Sequence, residues 1–119
     1  MSEQRKIERK LLTTFTPVYD LHKKTLLGYL GDLTLQGAML VGNKPVEINQ
    51  DLTLAIEFHE TPEIPATRMI IPARVAWCKH EKHSTYFNTG VEFLELTNEN
   101  KLVIVVILER YEFRKEMPT

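Results

Sequence analysis

The residues of this chain best equipped for chemistry are two arginines four positions apart, Arg5 and Arg9, and a short stretch, Asp32-Leu33-Thr34-Leu35-Gln36-Gly37, that follows after 22 intervening residues. Each guanidinium is a planar fork of N–H donors that can grip a phosphate with two bonds, pair with the O6 and N7 edge of guanine, or stack on a base. Lysine would bring the charge without the fork. Asp32 does not suit a bare phosphate, because like charges repel, but its carboxylate can accept from the N1–H and exocyclic amine on one edge of guanine. Thr34 offers a hydroxyl to a phosphate or a base, and Gly37 permits close backbone approach or a positive φ. Together they cover both polar faces of a phosphorylated guanine nucleotide. Taken singly each pattern is bland, since arginine pairs are common on solvated charged segments and Asp-Leu-Thr before glycine is common in ordinary turns.

Other reactive inventories are thin. His80 and His83 have a spacing seen in metal sites, but no second ligand pair accompanies them, so no metal is expected. Cys78 has no partner for an internal disulfide and lies in apolar text, the setting of a buried, inert thiol in an intracellular chain. Trp77 and Phe93 alternate with small or polar neighbours, which predicts core positions rather than stacking surfaces. Arg74 points away from that core face and is at most an extra ligand contact. No Ser/His/Asp set, paired carboxylates or phosphate-cradling glycine loop is present, so no catalytic residue and no cofactor are expected.

The elements that must position these residues read as one small domain. At 119 residues, 43% hydrophobic and 26% charged, the chain can bury a core of its own. A net charge of -1 argues against a coat of positive charge for nucleic-acid polymers or membranes, so an anion site has to be local. Arg5, Lys6, Arg9 and Lys10 concentrate positive charge at the N-terminal end. Residues 1–10 hold one isolated aliphatic, Ile7, too little to stay ordered alone, and read as a flexible basic arm. No secretory h-region is visible, and the longest apolar run, Leu102 to Leu108, is far shorter than the roughly 20 residues of a membrane span; the expected compartment is the cytoplasm.

From residue 11 the text turns to short β-rich segments punctuated by turns. Leu11 to Asp20 and Thr25 to Thr34 flank a hairpin tip at His22-Lys23-Lys24. Leu52 to His59 alternates cleanly, with Leu52, Leu54, Ile56 and Phe58 on one face. Arg68 to Lys79 places Met69, Ile71, Ala73, Val75 and Trp77 on one side, with Pro72 marking an edge or a bulge. Tyr86 to Leu96 is the last strand. Leu102 to Leu108 is β-branched, yet Thr97 as N-cap, Glu99 in the first turn and the set Val103, Ile107 and Tyr111 predict a helix over 97–115, with Arg114 and Lys115 at its end. A helix apolar around most of its circumference has more surface than a small barrel covers, which points to self-association through it.

The ordered pair Arg5-xxx-Arg9 and Asp32-x-Thr34-xx-Gly37 resembles the two signatures of the PilZ domain, RxxxR and [D/N]xSxxG. Ala73-Arg74-Val75-Ala76-Trp77 and Thr89-Gly90-Val91-Glu92-Phe93 are similar to that family's later RVxW and GVxF strands, so the resemblance spans nearly the whole chain. It implies a six-stranded antiparallel β-barrel with a C-terminal helix, divided here into arm 1–10, barrel 11–96 and helix 97–115. It implies a bacterial receptor for cyclic di-GMP, with Arg5 and Arg9 gripping guanine and phosphate, and Asp32, Thr34 and Gly37 holding the other side. A downstream protein partner would follow. Thr34 stands where the family usually has Ser, adding a methyl group near the ligand. Gln4 stands where some members carry a further Arg used with a stacked ligand pair, which favours one ligand molecule. The alternative is a PilZ-like adaptor that contacts proteins without binding the nucleotide.

Overall fold

The computed structural model describes residues 10–11, 15–62 and 65–112. Six strands close into an antiparallel barrel: β2 (Pro17–Asp20), β3 (Thr25–Leu33), β4 (Gly37–Gly42), β5 (Asp51–Phe58), β6 (Thr67–His80) and β7 (Phe87–Phe93), in the order β2-β3-β4-β7-β6-β5. β5 returns to β2 through Val18 opposite Ile56, so the barrel has no free edge to template aggregation. Outside it, β1 (Lys10–Leu11) pairs in parallel with β8 (Tyr111–Glu112), the segment that follows the one helix among the described residues, α1 (Asn98–Arg110).

Period-two patterning builds the interior. Leu52, Leu54, Ile56 and Phe58 of β5 point inward, as do Met69, Ile71, Ala73 and Val75 of β6. They join Val18, Leu30, Leu33, Leu40 and Val91 in one cluster, into which α1 inserts Ile104 and Ile107. Apart from Ala73, each such side chain contributes about 1.5–3 kcal/mol by leaving water. Pro72 is accommodated without an edge. Its carbonyl accepts from Leu94 N–H (2.9 Å), and its ring nitrogen faces the same flank, one residue beyond the β6–β7 ladder that ends at Ala73 opposite Phe93.

The hairpin tip between β2 and β3 is held by Asp20, a buried carboxylate that accepts from the N–H groups of His22 (3.0 Å) and Lys23 (3.1 Å). Lys24 takes the left-handed conformation that closes the turn (φ 58°).

Two boundaries and the face of one side chain differ from the sequence reading. The barrel starts at Pro17 rather than at residue 11, because Lys10–Leu11 pairs with Tyr111–Glu112 instead of with a barrel strand. The helix stops at Arg110 rather than 115, because Tyr111 turns extended (φ -135°, ψ 151°), becomes buried and enters that parallel pair. Its start is as expected, with the Thr97 hydroxyl accepting from Asn100 N–H at 3.0 Å. The third difference is Trp77, which stands outside the barrel. Register slips between Val75 and Trp77, so that Ala76 is bulged, Trp77 falls opposite Gly90 and Cys78 opposite Thr89. One extra residue inverts the parity of everything after it: the indole is 41% exposed, and Cys78 turns toward buried Thr89.

Candidate functional site

Asp32 owes its position to a second bulge. In the β3–β4 ladder Leu30 faces Leu40 and Asp32 faces Met39, leaving Gly31 unpaired between them. A Cβ on Gly31 would lie 2.8 Å from the Met39 Cε and 3.0 Å from a Val41 methyl, so a larger residue at the bulge would displace the end of the Met39 side chain. The strand then continues with Asp32 in solvent and Leu33 in the core. Leu33 N–H donates to Asp32 Oδ1 at 2.9 Å, which fixes the carboxylate against its own backbone.

The turn that follows is organised by one hydroxyl. Thr34 Oγ1 accepts from the N–H groups of Gln36 (3.1 Å) and Gly37 (3.2 Å) and lies 3.4 Å from the Gly37 carbonyl oxygen, to which it can donate. Thr34 N–H donates to that same carbonyl at 2.9 Å. Gly37 itself has no positive φ. Its missing side chain is required by closeness, since a Cβ there would run into the Val91 carbonyl oxygen of β7. Of the two reasons for a glycine at this position, backbone approach is the operative one.

These residues form one wall of an open groove of ≈ 290 Å³ lined also by Trp77, Gly90 and Glu92. The two bulges face each other across it, one delivering Asp32 and the other Trp77 to the outer surface. Trp77 lies over Gly90, where any Cβ would overlap the indole ring. The described lining holds two carboxylates, Asp32 and Glu92, and no cation. A groove with that lining suits hydrogen-bond donors and a flat ring, and repels a phosphate left to itself.

Arg74 does not supply the missing charge. Its Nε donates to Asp51 Oδ1 at 2.7 Å and its Nη2 to Oδ2 at 3.3 Å, a cross-strand pair in register between β5 and β6. The guanidinium hydrogen bond holds the Asp51 carboxyl below its ordinary value, and the same bond raises Arg74. Arg74 is thus engaged on the flank away from the groove, with Glu92 as its neighbour on the other side.

Arg5 and Arg9 lie outside the described residues, so the structure brings together only Asp32, Thr34 and Gly37 of the five expected site residues. Trp77 joins them, having been assigned to the core by strict alternation. The signal that would have found it is the Ala76-Trp77 bulge opposite a glycine, which alternation alone does not register. Among the described residues no group of three or more His, Cys, Asp or Glu side chains could hold a metal ion. No described helix is long and apolar enough to cross a membrane.

The PilZ domain profile matches residues 3–110, a span that takes in both signature stretches and the entire barrel. The chain belongs to the PilZ domain family. No curated protein and no solved structure matches it. PilZ domains bind cyclic di-GMP and partner proteins and are binding or adaptor domains rather than catalysts. In this PilZ domain the DxSxxG element, here with Thr34 in place of Ser, is the Asp32–Gly37 turn, and the RVxW and GVxF elements are the two strands that form the groove floor.

Proposed function

We propose that this PilZ domain is a cytoplasmic, non-enzymatic receptor for cyclic di-GMP in which the ligand joins Arg5 and Arg9 to the Asp32–Gly37 turn. The observation that carries the reading is the charge of the groove. A guanine edge offers N–H donors to Asp32, whose Oδ2 has no partner among the described residues, and its ring can lie against the exposed indole of Trp77. The phosphates need cations the groove lacks, which Arg5 and Arg9 supply in two-pronged fashion. Thr34 acts by shaping the turn, and Gly37 by letting β4 approach β7.

Binding orders the arm, and that ordering is the signal to a downstream protein. Fixing each arm residue costs about 1–2 kcal/mol of backbone entropy, against about 1.5–3 kcal/mol for each charge-assisted hydrogen bond. Two arginines with base contacts suffice, and one does not. Calorimetric titration of the full chain with cyclic di-GMP tests this: Arg9→Ala and Asp32→Ala each abolish micromolar binding while the far-ultraviolet spectrum stays that of the folded barrel. Undiminished binding in both variants overturns the proposal, and a wild-type chain that binds no cyclic di-GMP favours the adaptor reading.

A further inference from the structure

The outward side of α1 is a second surface, whose Lys101 borders a groove lined also by Leu35, Gln36 and Glu92. At about 100° per residue, Ile104 and Ile107 turn into the core with Val103 and Leu108 beside them, which leaves Leu102, Val105 and Val106 in solvent. Leu102 is 67% exposed and the two valines 38% and 39%. Single exposed aliphatics are ordinary, but three on one helical face form a patch that asks for cover.

The charges at its two ends decide what covers it. Lys101 and Glu109 stand four residues before and four after Val105, on the same face of the helix, and neither belongs to a salt bridge among the described residues. Along its Val105 edge the stripe therefore runs from positive Lys101 to negative Glu109, and along its Val106 edge from negative Glu99 to positive Arg110, with the apolar residues between. A second α1 laid antiparallel across Val105 sets Lys101 of each copy against Glu109 of the other, twice over by two-fold symmetry. A parallel copy would set like charge against like.

We propose that α1 pairs antiparallel with α1 of a second copy of this chain, Val105 meeting Val105 at the two-fold axis, Leu102 and Val106 packing across it, and two Lys101–Glu109 pairs closing the ends. Lys101 to Glu109 spans about 12 Å of helix, much less than a standard interface of roughly 800 Å² per partner needs. The dimer is accordingly weak and reversible, and it does not depend on the nucleotide.

Sedimentation equilibrium of the full chain over a wide concentration range, up to millimolar, tests it. The wild type shows a monomer–dimer equilibrium that Arg9→Ala leaves unchanged. Lys101→Glu or Glu109→Lys alone turns two attractive pairs into two repulsive ones and raises the dissociation constant about tenfold, while the double swap restores it. Val105→Cys links two chains through a disulfide under mild oxidation, where the wild type with its single Cys78 does not. All these side chains are exposed, so the variants fold, and circular dichroism checks it. A monomer at every concentration overturns the proposal, as does a dimer indifferent to the swaps or one that the double swap fails to rescue.

Discussion

Thr34 is the place where the geometry makes the sharpest demand. If its hydroxyl is the pin of the turn, Thr34→Val keeps the shape and β-branching of the side chain and removes three interactions at once, those with Gln36 N–H, Gly37 N–H and the Gly37 carbonyl. A hydrogen bond is worth about 0.5–1.5 kcal/mol net, and here the residue is exposed, so water replaces part of what is lost. The contact at 3.4 Å contributes least. The expected loss is about 1–2 kcal/mol, or about 4–8 °C in melting temperature for a chain of this size. Thr34→Ser keeps every one of these bonds and should melt with the wild type. Thermal unfolding followed by circular dichroism measures both, and calorimetry with cyclic di-GMP follows the affinity alongside. On this reasoning Thr34→Val loses affinity because the turn loosens, whereas Thr34→Ser binds like the wild type. A valine variant of unchanged melting temperature would refute the pin, and one with native stability but no binding would make the hydroxyl a direct ligand contact instead.

Two further perturbations probe neighbouring features. Gly90→Ala forces the indole of Trp77 off its cross-strand seat, at a cost of about 1–3 kcal/mol. Trp77 is the sole tryptophan, so acrylamide quenching should rise in the variant, and identical quenching would mean the ring does not rest on Gly90. The Asp51–Arg74 pair gives a pH signature. Because the Arg74 hydrogen bond depresses the Asp51 carboxyl in the fold, its stabilisation is present above the unfolded-state value and is lost as pH falls below about 4 through the folded one. Urea midpoints should therefore drop less steeply on acidification in Asp51→Asn than in the wild type, and parallel curves would remove the pair from the account.

The legible parts of the fold were those governed by a local rule. Leu52 to Phe58 alternates without interruption and became β5, and Thr97 announced a helix that β propensity from Leu102 to Leu108 would have hidden. β4 was invisible from pattern, since Gly37-Ala38-Met39-Leu40-Val41-Gly42 does not alternate, and a sixth strand was expected only from the family resemblance. β1 and β8 are two residues each and pair across most of the sequence, which no local pattern encodes. In the candidate groove, the juxtaposition of Asp32, Thr34 and Gly37 was readable because they occupy one turn. Trp77 was not, because alternation carried through Ala76 assigns it to the wrong face, and a bulge is a property of two strands compared rather than of one strand read. Arg74 was placed outward as expected, but its partner Asp51 comes from another strand.

The short parallel pair between Lys10–Leu11 and Tyr111–Glu112 works as a clasp. Lys10, which follows Arg9, is fastened to Tyr111, which follows the helix, so a change that pulls Tyr111–Glu112 out of line also releases Lys10–Leu11. The end of α1 and the residues beside Arg9 are therefore not independent, since what displaces one unfastens the other.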